Sequence, residues 1–288
     1  MRDFTQDHRW LSINTATVRR QWRLDRIVDE CARRGIRAIS PWRDQVAALG
    51  LQTLARQLRA HDIELSGYCR GGFYTAPDVA GRSAALDDNR RAIDEAKTLG
   101  APCLVLVVGS LPGALDGRPL YTDISRARHE VRDGIAATLA YGRDVGMPLA
   151  IEPLHPMQAA ERACINTLEQ ALDLCDELDP TRSGALGVAL DVYHVWWDPK
   201  LEAQIKRAGR ERLLAYHVCD WRVPTRDLLN DRAMMGDGVI ELRKIRGAIE
   251  AAGYAGYAEV EIFSELDWWQ RPGEEVLQTC IDRHHGVV

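Results

Sequence analysis

The chain has 288 residues, 46% of them apolar and 27% charged, with a formal net charge of -5. This balance excludes a disordered or collagen-like chain and allows a large core, built as one α/β barrel or as two smaller domains. Lysine and arginine are dispersed, "TVRRQWR", "ARR" and "NRR" being the densest clusters, so no basic face for nucleic acid is expected. Seven cysteines with no CxxC spacing read as small core hydrophobes in a reducing, cytoplasmic compartment. No run reaches the length of a membrane span, and the N-terminus lacks the apolar stretch of a signal peptide.

Eight short apolar or β-branched runs follow one another along the chain: "WLSINT" (10–15), "IRAIS" (36–40), "IELSGY" (63–68), "CLVLVVG" (103–109), "PLAIEP" (148–153), "ALGVALD" (185–191), "LLAYHV" (213–218) and "GYAEVEIF" (256–263). Stretches with helical apolar spacing lie between them, at 18–34, 44–61, 84–99, 131–145, 167–177 and 240–252. Several of these end in glycine just before the next run, in "ARRGI", "TLGAP", "DVGMP" and "AAGYAG". Alternating strand and helix signals predict repeated βα units. The spacing suits a (β/α)8 TIM barrel, and no Pro- or Ser-rich linker divides residues 1–288, so a single domain is expected. A doubly wound open sheet is the rival, but no GxGxxG or GxxxxGK[ST] opens a helix after a strand, which disfavours a nucleotide cofactor.

In a barrel the C-terminal ends of all strands face one mouth, so the polar residues that end different runs converge there. The fifth run delivers Glu152, the sixth Asp191, the seventh His217 and the eighth Glu261. Two glutamates, an aspartate and an imidazole suit one divalent ion, hard oxygens favouring Mn²⁺ or Mg²⁺ and the imidazole Co²⁺ or Zn²⁺. Each residue also has a plain structural reading: Glu152 as a strand-end partner for an arginine, Asp191 as a helix cap, His217 as a core histidine. One metal site accounts for all four together. Glu259 shares a strand face with Glu261 in "EVE", and alternation alone does not choose between them.

The stretches "LAIEPLHP", "GVALDVYHVWW", "YHVCDW" and "EVEIF" resemble the strand-end motifs of the sugar phosphate isomerase/epimerase family, the xylose isomerase-like TIM barrels. The resemblance is strong in the second half of the chain and rests on the βα rhythm in the first. It implies a Glu, Asp, His, Glu ligand quartet at Glu152, Asp191, His217 and Glu261, and favours Glu261 over Glu259. It implies a metal-dependent sugar isomerase or epimerase, with Mn²⁺ preferred, acting on small ketoses or polyol-derived ketones through an enediolate. Glu152 and Glu261 then move the proton. His194, three residues after Asp191, is implied as a substrate contact, the alternative being packing against Trp196 and Trp197. Arg222 stands one residue closer to its histidine than the family's substrate arginine, with Arg226 and Arg232 as substitutes. His155 and Gln158 follow Glu152 on one loop; the epimerases often carry a carboxylate at the Gln158 position, so contacts there are expected to differ.

Trp42, Arg43, Tyr68 and Arg70 follow the second and third runs as pocket-lining or core residues. Trp268 and Trp269, after the last run, are read as cover for the site or as a homo-oligomer contact. A dehydratase acting on an inosose-like cyclitol is the second enzymatic reading, because the same enediolate can expel a β-hydroxyl. Endonuclease IV-like repair ranks lower, since its trinuclear zinc site needs more strand-end histidines than the eight histidines here supply. A non-catalytic binding protein on the same fold is the reading of a different class. The expected partner is a small sugar or cyclitol, with no nucleic acid and no membrane.

Overall fold

Strands buried on both faces must be apolar throughout, and the eight runs meet that demand as the parallel strands of a closed sheet. In a computed structural model describing residues 2–288, the strands are β1 (Leu11–Asn14), β2 (Ala38–Ser40), β3 (in two pieces, Glu64–Leu65 and Tyr68–Gly72), β4 (Leu104–Val107), β5 (Leu149–Ile151), β6 (Leu186–Asp191), β7 (Leu213–Val218) and β8 (Ala258–Val260). The order around the sheet is Glu64–Leu65, β2, β1, β8, β7, β6, β5, β4, Tyr68–Gly72, every pair parallel. The two free ends are the halves of β3, and a bridge between Trp42 and Cys69 closes the ring. The predicted (β/α)8 barrel is the fold observed.

Helices wrap the outside, and the main core lies between them and the outer strand faces. Their limits follow local capping. Asp123 accepts from the Ser125 and Arg126 amides and so starts the Ile124–Val145 helix earlier than apolar spacing predicts. Thr167 likewise caps Leu168–Leu178. The stretch expected as one helix over 44–61 is two, Arg43–Leu49 and Leu51–His61, because Gly50 takes φ 97°, which breaks the helical run. The helix expected from residue 18 begins at Leu24, since Thr15–Val18 forms a separate 3₁₀ turn. Among the described residues no helix is long and apolar enough to cross a membrane.

Small side chains fill the inside of the barrel: Cys69, Cys103, Val105, Ala150, Ala189 and Ala215. Their size leaves room above them for a polar layer at the mouth. All seven cysteines are buried and unpaired. Outside the barrel, Arg212 is fully buried, donating to Asp179 Oδ2 at 2.7 Å and to the Leu186 carbonyl at 2.7 Å. Removing Arg212 leaves the buried Asp179 carboxylate to Arg143 and Ser183 and the Leu186 carbonyl without its donor, so Arg212→Met is expected to lower stability by about 3 kcal/mol, read from the urea midpoint.

Candidate active site

Glu152 is the first residue past β5, its amide bonded to the Leu106 carbonyl of β4. Asp191 closes β6 and stands in register with His217 of β7, which in turn pairs with Glu259 of β8. Glu261 follows β8 by one residue, its amide held by the Val218 carbonyl. Strand register therefore gathers the four residues singled out in the sequence. One ligand atom from each of Glu152, Asp191, His217 and Glu261 lies within 4.8 Å of the other three, and all four residues are buried. The helix-cap reading of Asp191 is met by Oδ1, which accepts from the Tyr193 amide at 2.9 Å, while Oδ2 faces the cluster.

Charge is crowded here. The carboxylates of Glu152, Asp191, Glu259 and Glu261 are buried against two cationic partners, Arg232 and His217. Burial raises the Glu261 carboxyl to about 8, reinforced by Glu152 and Asp191 and opposed by Arg232 and His217. Burial also works to raise Asp191, but Arg232, His194 and His217 outweigh it and hold it below the usual range. For His217 burial favours the neutral ring, yet Glu259, Glu152 and Glu261 together drive its pKa well up. Such a set, oxygen-rich, imidazole-containing and short of positive charge, fits a divalent cation. His217 Nδ1 faces Glu152 Oε1 at 2.9 Å and Nε2 faces Glu259 Oε1 at 3.5 Å. Glu259 thus stands behind the ring, where a carboxylate orients a ligating histidine.

His194 is buried beside the quartet, Nε2 3.6 Å from Asp191 Oδ2. Burial pulls its pKa down to about 3, so the ring is neutral. Its Nδ1 accepts from the His155 amide at 3.1 Å, which places the proton on Nε2. Arg232 Nη2, 3.2 Å from that nitrogen, is also a donor. Two donors facing each other share no proton; both can point to one oxygen acceptor placed beside them.

The structure divides the three candidate arginines. Arg232 Nη1 reaches Asp191 Oδ2 at 2.7 Å and Glu261 Oε2 at 3.1 Å, its guanidinium over the Tyr193 ring at 4.5 Å. Arg222 is turned to Asp267 Oδ2 at 2.6 Å, and Arg226 is engaged by Asp231. The ring of His155 stacks on Trp221 at 4.8 Å and joins a wall with Trp197, so it reaches His194 through its backbone. Gln158 is buried and donates to the Leu228 carbonyl at 3.3 Å. Trp197 Nε1 donates to the His194 carbonyl at 2.9 Å, and Trp196 packs against the core near Trp221. Trp268 and Trp269 are buried within the chain, with Trp269 Nε1 bonded to the Ala16 carbonyl.

A family model described as a xylose isomerase-like TIM barrel matches residues 28–280. The chain belongs to that family. An inosose isomerase of Bacillus velezensis is 22% identical over 285 residues, 96% of each chain. A crystal structure of a Sinorhizobium meliloti 1021 protein superposes with TM-score 0.92 at 57% identity, covering 96% of this chain and 98% of that one. The IolI protein, crystallised with a zinc atom, gives TM-score 0.79 at 20% identity over 94% of this chain and 95% of that one.

Two further residues complete the centre of this xylose isomerase-like barrel. Asn14, at the end of β1, donates from Nδ2 to Glu259 Oε1 at 2.8 Å and to Glu261 Oε1 at 2.9 Å, and accepts from Trp42 Nε1 at 2.8 Å. Ser66, in the gap of β3, donates to Glu259 Oε2 at 2.7 Å. Asn14 was discoverable by the same rule as the quartet, because it is the polar residue directly after the last apolar residue, Ile13, of the first run.

Proposed function

We propose that the protein is a divalent-metal-dependent isomerase or epimerase of small ketoses or polyol-derived ketones, cyclitol ketones included. The observation that carries this reading is the convergence of Glu152, Asp191, His217 and Glu261 to within 4.8 Å at the barrel mouth. These four would hold the ion, and three carboxylates with one imidazole suit Mn²⁺, with Co²⁺, Zn²⁺ or Mg²⁺ as substitutes. When bound, the ion polarises a substrate carbonyl and acidifies the neighbouring C–H. Glu152 and Glu261 come from strands separated by β6 and β7, so they flank the site from two sides. One carboxylate takes the proton from carbon and the other returns it. Arg232 Nη2 and the His194 Nε2–H donate to one substrate oxygen. The inosose isomerase and the D-psicose 3-epimerase of Clostridium cellulolyticum H10 (TM-score 0.70, 15% identity, 96% of this chain and 95% of that one) support the reaction class.

Solvent-deuterium incorporation into a panel of ketoses and inososes tests this. Incorporation is expected with Mn²⁺, lost after chelation and regained on adding Mn²⁺ back; undiminished exchange without any divalent ion overturns the reading. A mass loss of one water in place of exchange would make the enzyme a dehydratase. Ligation requires Glu261 and His217 to be unprotonated, and both hold their protons unusually firmly in the metal-free site. Mn²⁺ affinity is therefore expected to fall as pH drops below about 8, by up to about tenfold per pH unit for each proton displaced, measured by electron paramagnetic resonance titration. Glu259→Gln is expected to weaken Mn²⁺ binding by about 10–100-fold through His217.

A further inference from the structure

Arg70 lies in the second piece of β3, next to Cys69, whose Sγ is 3.7 Å from Asn14 Nδ2. Its guanidinium packs on Phe73 at 4.1 Å and Trp42 at 5.9 Å. Among the described residues it makes no hydrogen bond and no ion pair. It opens into a cavity of about 450 Å³ shared with Trp42 and Cys69. The other arginines there are engaged: Arg19 with Asp44, and Arg43 with Asp88 at 2.8 Å and Glu95 at 2.7 Å. Arg70 is thus, among the described residues, the one guanidinium lining that cavity without an ion pair to a carboxylate.

A second arginine belongs to the neighbouring segment. The Arg162 carbonyl accepts from the Gly109 amide at 2.9 Å, and Gly109 packs against Phe73, the residue whose ring carries Arg70. Arg162 Nε is buried without a hydrogen bond; its nearest acid is the adjacent Glu161, at 3.6 Å. Burial, then the like charge of Arg162, hold the Arg70 pKa below its ordinary value. A largely buried guanidinium with no ion-paired carboxylate is costly until an anion meets it. Trp42 connects this place to the quartet, since its Nε1 bonds Asn14, which holds Glu261.

We propose that Arg70 receives an anionic group of the substrate, a carboxylate or a phosphate monoester, while the carbon chain crosses Trp42 toward the quartet. The substrate is then an acidic polyol ketone. This rests on the isomerase reading, which supplies the ketone end, but the anion site is testable apart from it. Calorimetry with D-glucitol, D-gluconate and D-glucitol 6-phosphate is run on the protein with Mn²⁺ and on the metal-free form. At least one anionic probe is expected to bind about tenfold or more tightly than D-glucitol. Arg70→Met should erase that difference and leave D-glucitol unchanged, while Arg70→Lys keeps part of it. Tighter gluconate binding assigns a carboxylate and tighter phosphate-ester binding a phosphate. Added NaCl should weaken only the anionic probes, a wild-type readout independent of how the variants fold. Equal binding of all three probes in both forms overturns the proposal, as does an Arg70→Met variant weakened alike for every probe. Failure of metal-dependent deuterium exchange with the anion preference intact would count against the isomerase reading alone.

Discussion

Glu152→Gln is expected to slow solvent-deuterium incorporation by about 10²–10⁴-fold with Mn²⁺ present, the usual worth of a positioned proton-transfer group. The substitution is close to isosteric and keeps an oxygen that can face a metal, so a ligand survives while the base is lost. In the metal-free protein Glu152 Oε1 also meets His217 Nδ1 at 2.9 Å, and glutamine turns that charge-assisted contact into an ordinary one. Mn²⁺ affinity therefore has to be measured beside the rate, and the exchange compared at saturating metal. Glu259→Gln is the matched control, because Glu259 lies behind His217 and its loss should be recovered by more Mn²⁺. Full exchange activity in metal-saturated Glu152→Gln would remove Glu152 from proton transfer.

The barrel was legible because its strands are buried on both faces and therefore read as continuous apolar runs. The seventh run, "LLAYHV", coincides with β7. Elsewhere the ends moved where backbone chemistry, not hydrophobicity, decides them: Gly50 divides a helix whose apolar spacing runs on, and β3 is interrupted at Ser66 and Gly67. The interruption brings Ser66 to Glu259, whose Oε2 it bonds. Reading strand ends found the quartet because register, a property of parallel sheets, aligns those ends. The same rule reaches Asn14 when applied to β1.

The arginines were less legible, because counting residues from His217 cannot foresee how the intervening loop folds. Asp220–Trp221 pairs antiparallel with Arg232–Ala233, and this ribbon carries Arg232 back over the mouth although it is 15 residues beyond His217. Arg222, closer in sequence, is claimed by Asp267, 45 residues away, a pairing with no local signature. His194 was found by its spacing from Asp191, but its tautomer depends on the His155 amide, which only the folded loop brings near.

Arg232→Met should lower the stability of the metal-free protein by about 3–5 kcal/mol, as expected when one member of a buried ionic group is removed. The guanidinium is 3% exposed and donates to Asp191 Oδ2 and to both the carbonyl and Oε2 of Glu261. Methionine can still pack against Tyr193 and Phe263, so the loss is one of charge more than of volume. Without Arg232 the carboxylates of Glu152, Asp191, Glu259 and Glu261 face His217 alone, and their mutual repulsion strengthens the demand for another cation. Mn²⁺ at about 100 times its dissociation constant should then return about 2.7 kcal/mol. Urea titrations with and without Mn²⁺ measure both quantities. Arg212→Met gives the contrast: its partner Asp179 lies outside the barrel, so Mn²⁺ should stabilise it and the wild type alike and leave the difference between them unchanged. A destabilised Arg232→Met that Mn²⁺ does not rescue would show that the cluster's charge is not what a metal neutralises, and would detach Arg232 from the quartet it bridges.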